Sequence, residues 1–88
     1  MNILSYYTVT FFYRSNNKEY THHKQIGTFS KEKALRYAVK YLHSNTSVAD
    51  FILENMVGWS CSKGNIKHCI MQHKGTIFDM LLEGGNEE

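Results

Sequence analysis

From Ile3 to Tyr13 the chain alternates. Ile3, Tyr7, Val9, Phe11 and Tyr13 fall on one face, with Ser5 the polar exception, and Leu4, Tyr6, Thr8, Thr10 and Phe12 fall on the other. Period-two patterning in residues that suit a pleated surface predicts a long strand, its odd face toward the core. Tyr6 and Phe12 make the even face more apolar than a plain solvent face, so a partner or a second layer is expected there. Ser15-Asn16-Asn17-Lys18 reads as a turn, because Asn tolerates positive φ. Glu19 to Phe29 then returns as a second strand, completing a β-hairpin. Thr21, His22, His23, Lys24 and Gln25 make that strand polar, which predicts a sheet edge or one wet face. Gly27 suggests a bulge leading into the next element.

The pattern then changes period. In FSKEKALRYAVKYLH, residues 29–43, Ala34, Leu35, Ala38, Val39, Tyr41 and Leu42 gather on one side at about 100° per residue. Lys33, Arg36, Lys40 and His43 gather opposite, flanked by Tyr37. Ser30 is placed to cap this helix, and Phe29 with Ala34 has the spacing of a hydrophobic staple. Ser44-Asn45-Thr46 ends it. A second helix is predicted from Ser47 to about Val57, with capping-box spacing between Ser47 and Asp50 and a stripe of Val48, Phe51, Ile52 and Met56. Trp59 either closes that packing or faces a partner. Gly58 to Asn65 reads as loop, Ile66 to Gln72 as a strand, and His73-Lys74-Gly75 as a turn. Thr76 to Leu82 reads as a strand with Phe78, Met80 and Leu82 on one face, or as a short helix capped by Thr76. The strand is preferred because the turn joins two runs of similar length. Gly84 to Glu88 reads as a frayed acidic tail. The expected order is ββααββ: one α+β domain over 1–83, with two helices on an antiparallel sheet.

Composition narrows the function. Eighty-eight residues allow one domain and leave little room for an enclosed substrate cavity. The net charge of +2 conceals a division. Residues 1–44 carry Arg14, Lys18, Lys24, Lys31, Lys33, Arg36 and Lys40 against Glu19 and Glu32. Residues 45–88 carry Lys63, Lys67 and Lys74 against Asp50, Glu54, Asp79, Glu83, Glu87 and Glu88. One positive and one acidic surface are therefore expected. Two cysteines do not make a disulfide framework, and the start of the chain lacks a basic region followed by an apolar run. A cytoplasmic location with reduced thiols is the expectation.

The residues that invite chemistry are sparse. Cys61, His68, Cys69 and His73 are the nearest approach to a metal set, but they include no C-x2-C pair. On a strand His68 and Cys69 would point to opposite faces. No metal or cofactor is expected. A Cys–His nucleophile needs a base within reach, an orienting group and a pocket, and spacing supplies none of them. Phosphate-binding glycine loops are absent from the sequence. A thiol or metal-dependent enzyme therefore ranks last, and no catalysis is expected.

The sharper feature is a contact surface. Lys33, Arg36, Tyr37, Lys40 and His43, extended by Arg14 and Lys24, suit either an acidic protein or a nucleic-acid backbone. A pI near 8.6 is modest for a dedicated nucleic-acid binder. Tyr6, Phe12, Tyr20 and Trp59 add candidate aromatic anchors, and a free sheet edge invites pairing with a second copy. The layout, a hairpin followed by TFSKEKALRYAVKYL, is similar to that of small accessory proteins of bacteriophages and mobile elements. That likeness implies binding and modulation, or inhibition, of a host protein. Binding to another protein is thus the first expectation, and nucleic-acid binding the second.

Overall fold

The computed structural model describes residues 3–43 and 46–83. It shows an α+β fold in which three helices pack on a four-stranded antiparallel sheet of order β2-β1-β3-β4. The expected tail at 84–88, the helix stop at Ser44-Asn45, and the side chains of His43 and Ser47 lie outside the described residues.

Strands β1 (Ser5–Ser15) and β2 (Lys18–Thr28) form the hairpin that the alternation predicts. Asn16 and Asn17 take φ of 55° and 64°, the left-handed pair that a two-residue turn needs to match the strand twist. Pairing is continuous from Ser15↔Lys18 to Ser5↔Thr28, so Gly27 makes no bulge. Its role is close approach instead: a Cβ at Gly27 would lie 3.0 Å from the Tyr6 ring, which packs across it. β2 is an edge strand, as its polarity indicates.

Helix α1 (Lys31–His43) follows. Ser30 Oγ accepts from the Lys33 N–H at 3.2 Å, and the Ser30 carbonyl accepts the first helical bond from Ala34. Ala34, Leu35, Ala38, Val39 and Leu42 are buried against Val9, Phe11 and Ile26 of the hairpin. Phe11 is fully buried. Such a side chain contributes about 1.5–3 kcal/mol through removal from water.

Beyond α1 the expectations are corrected in three places: the end of α2, the stretch from 58 to 72, and the end of the described chain. Helix α2 (Thr46–Asn55) stops two residues short of Val57, because Met56 already belongs to β3 (Met56–Lys63). The stretch read as loop is therefore the second inner strand of the sheet, paired with β1 from Tyr7↔Lys63 to Phe12↔Gly58. Trp59 and Cys61 face the helices, and Ser60 faces the other way. The stretch from 64 to 72 is not a strand. It crosses the even face of the sheet as an irregular strap and supplies the second layer that Tyr6 and Phe12 call for. Thr8 Oγ1 donates to the Gly64 carbonyl at 2.6 Å and accepts from the Ile66 N–H at 3.1 Å. Gln72 accepts from the Cys61 N–H and donates to Ser62 Oγ. The strap covers Thr8, Thr10 and Ser60, which are buried on a face without helices, and its bonds satisfy the Thr8 hydroxyl. Phe12 becomes half-buried there, while Tyr6 stays exposed.

The third correction concerns the end of the chain. His73–Lys74, read as a turn, is the short strand β4, pairing with Trp59 and Gly58. Ile77–Glu83 is a helix, α3, rather than a strand. Asp79 Oδ2 accepts from the Thr76 N–H at 2.8 Å and from the Thr76 hydroxyl at 3.3 Å, while the Met80 N–H donates to the Thr76 carbonyl. This cap, made by the Asp79 carboxylate reaching back to Thr76, makes a helix of a seven-residue apolar run. Asp79→Ala is expected to lower stability by about 1 kcal/mol and to speed amide exchange at Met80 and Leu81. Unchanged exchange at both amides would remove the cap from the account.

Candidate functional site

The residues predicted to form a contact surface do not share one. Lys33, Tyr37 and Lys40 lie on the side of α1 away from its buried stripe, with Tyr37 stacked on Tyr41 at 6.3 Å between ring centroids, while Arg36 beside them is half-buried with its Nε shielded from solvent. His43 closes that helix, and its side chain lies outside the described residues. Arg14 sits near the hairpin tip, where its guanidinium pairs with Glu19 at 2.6 Å. Its charge is thereby offset instead of adding to the basic stripe. Lys24, half-buried, lies opposite Val9 on the helical side of β2. Tyr20 stacks on Tyr13 at 5.5 Å, and Tyr13 meets Phe51 of α2 edge-on. Tyr6 and Phe12 occupy the opposite face of the sheet. Trp59 is corrected as a contact residue: it is 3% exposed and stacks on His73 at 5.1 Å, inside the fold.

The candidate chemical residues are also separated by the fold. Cys61 is buried on the helical face and Cys69 half-buried on the strap. The Thr10 hydroxyl donates to Cys69 Sγ at 3.2 Å and lies 2.8 Å from His23 Nδ1. This chain of contacts fastens the strap to β1 and β2. Beside it, opposite Thr10, Ser60 Oγ is buried with no hydrogen-bond partner. Among the described residues no group of three or more His, Cys, Asp or Glu is arranged to hold a metal. Burial pushes the Cys61 thiol up to about 11, with Lys31 acting weakly against the rise and Glu32 with it. A thiol raised from 9.0 in this way favours the fold while it stays protonated. That contribution is full below about pH 9 and is lost as pH rises through about 11. The stability difference between the wild type and Cys61→Ala should therefore shrink across that window in denaturation titrations. Parallel curves would show that burial leaves this thiol at its unfolded value.

What the sequence did not reveal lies on α3. Read as a strand, its apolar residues fall into Phe78, Met80 and Leu82. Wound at 3.6 residues per turn, Ile77 and Met80 turn inward against the core, while Phe78, Leu81 and Leu82 turn out. Phe78 is 79% and Leu82 75% exposed. With Leu53 of α2, residues Thr76, Ile77, Phe78 and Leu81 line an apolar groove of about 480 Å³. On the other side of α3, Trp59, His73, Lys74, Asp79, Leu82 and Glu83 are among the residues lining a more polar and more open hollow of about 500 Å³. The helices α2 and α3 contribute Asp50, Glu54, Asp79 and Glu83 and no Lys, Arg or His. The groove itself is lined by no charged residue, and Asp79 and Glu83 line the hollow across the helix from it. The signal available in sequence was the cap spacing Thr76-x-x-Asp79.

No described helix is long and apolar enough to cross a membrane. Comparison with protein families, with curated proteins and with solved structures finds no match to this chain.

Proposed function

We propose that this protein acts in the cytoplasm by binding another protein and so modulating it, without chemistry of its own, and that the contact is made by the apolar face of α3. One observation carries this reading: on a helix of seven residues, Phe78 and Leu81 stand in solvent at a groove lined by Leu53 and Ile77, and Leu82 is exposed on the adjoining side of the same helix. Leaving that much apolar surface in water is unfavourable, and clustered patches of this kind mark interaction sites. Asp79 and Glu83, across α3 from the groove, favour a partner segment that is apolar along one side with basic residues that reach over the helix, the pattern of an amphipathic helix laid in a groove. A host factor is the partner that the accessory-protein layout suggests.

A second reading rests on the outer face of α1. There Lys33, Arg36 and Lys40 accompany the stacked rings of Tyr37 and Tyr41, a combination suited to single-stranded nucleic acid. Capture from nuclease-treated native lysate separates the two. The protein-binding reading expects a stoichiometric protein that survives nuclease. It is overturned if nothing is captured, or if the captured material is nucleic acid released as salt rises.

A further inference from the structure

The open edge of β2 carries information that the α3 face does not. Residues Ser15 and Lys18 close the two-residue turn, so they form a hydrogen-bonded pair, and the alternation that follows fixes the rest of the ladder. Lys18, Tyr20, His22, Lys24, Ile26 and Thr28 direct their backbone groups at β1. Glu19, Thr21, His23, Gln25 and Gly27 direct theirs outward. The same parity makes Tyr6 face β3, and the Tyr6 carbonyl indeed accepts from the Gly64 N–H on that side at 2.7 Å. The outward edge therefore runs the full eleven residues of β2, with no proline and no break in register. Of the devices that blunt an edge, β2 keeps charge at Lys18, Glu19 and Lys24 and lacks the proline or bulge that would interrupt its outward hydrogen-bonding groups.

We infer that β2 is a self-association edge, on which a second copy of this chain pairs antiparallel across a two-fold axis through His23 to make one eight-stranded sheet. The register follows from the sequence of the strand. Centred on His23, every residue of β2 finds a partner: Lys18 with Thr28, Glu19 with Gly27, Tyr20 with Ile26, Thr21 with Gln25, and His22 with Lys24. The outward residues then exchange about ten backbone hydrogen bonds. No two fixed like charges stand opposite each other. Burial, followed by Lys24 and then His23, holds His22 below its usual value, so it stands uncharged opposite Lys24 of the second copy at neutral pH. Sliding the pair by two residues one way sets Lys24 against itself, which is repulsive. Sliding it the other way leaves Gly27 and Thr28 unpaired. Such a two-fold contact closes on itself and does not propagate.

Sedimentation equilibrium of the full chain over a concentration series provides the test. The wild type is expected to approach twice 10.3 kDa. Thr21→Pro deletes an outward N–H that β1 does not use, and it should return the mass to one chain with an unchanged circular dichroism spectrum. Thr21→Lys with Gln25→Lys, both at exposed positions, puts lysines opposite each other and should also give one chain. Thr21→Glu with Gln25→Lys makes two symmetric ion pairs in this register alone and should remain a dimer. A wild type of one chain mass at every concentration overturns the inference. So does a dimer that survives Thr21→Pro and the double-lysine change, since the association would then lie elsewhere. Charged substitutions at Phe78 and Leu82 should leave the mass unchanged, which keeps this edge separate from the α3 surface.

Discussion

Gly58→Ala should be the most damaging conservative change in the chain, lowering stability by about 3 kcal/mol. Gly58 lies in β3 between Phe12 on one side and Lys74 on the other. A Cβ there would run into the Met71 side chain and the His73 backbone carbonyl. The end of Met71 can swing away. The carbonyl cannot, because His73 and Lys74 pair with Trp59 and Gly58, and the His73 ring stacks on Trp59. One methyl group thus forces β4 off the sheet and lifts the end of the strap. A domain of this size loses about 4–8 °C of melting temperature per kcal/mol, so a drop above about 10 °C is expected in thermal unfolding. Adding Met71→Ala should restore only part of it, since the backbone clash remains. Full rescue would show that the side chain alone made the site tight, and a melting point within about 2 °C of the wild type would contradict the packing of β4.

Phe78→Glu with Leu82→Glu should have the opposite profile: a large loss of partner binding with almost no loss of fold. Both side chains stand in solvent, so replacing them removes little burial, and stability should stay within about 0.5 kcal/mol. Aromatic and aliphatic anchors at the centre of an interface carry upward of about 2 kcal/mol each, which is at least about 30-fold in affinity. The new carboxylates would join Asp79 and Glu83 on α3, leaving a basic partner segment without its apolar seat. Affinity for the captured partner, measured by calorimetry beside the melting temperature, reads both effects. Arg36→Glu with Lys40→Glu should leave that affinity within a few-fold of wild type.

How far these properties can be read from the sequence depends on how each element is held. α1 was legible because a long segment has room for three turns of consistent pattern, and its buried stripe of Leu35, Ala38, Val39 and Leu42 is the one that periodicity predicts. The hairpin was legible from the alternation of Tyr7, Val9 and Phe11 and from Asn16-Asn17. β3 was not, because Gly58, Ser60 and Ser62 are residues that usually punctuate loops. They are suited to an inner strand here only because the strap crosses that face, close to Gly58 and hydrogen-bonded to Ser62 through Gln72. A contact 56 residues away, such as Thr8 with Gly64, leaves no local pattern. The run at 76–82 is too short for period to decide, and the deciding bond is the cap between Thr76 and Asp79. That single misreading hid the α3 surface, since a strand and a helix expose different residues of the same apolar set. Arg14, expected to extend the basic residues of α1, is ion-paired with Glu19, and of the two readings of Trp59 the fold takes packing over contact.

The central claim is that a protein partner sits on α3, and a photo-crosslinking amino acid placed at one position at a time tests it most directly. Benzoylphenylalanine at Phe78 should yield a covalent protein adduct in native cells, one resistant to nuclease, while the same group at Tyr37 should yield none. An adduct at Tyr37 that nuclease trims, with nothing at Phe78, would contradict the account and return the function to the basic face of α1.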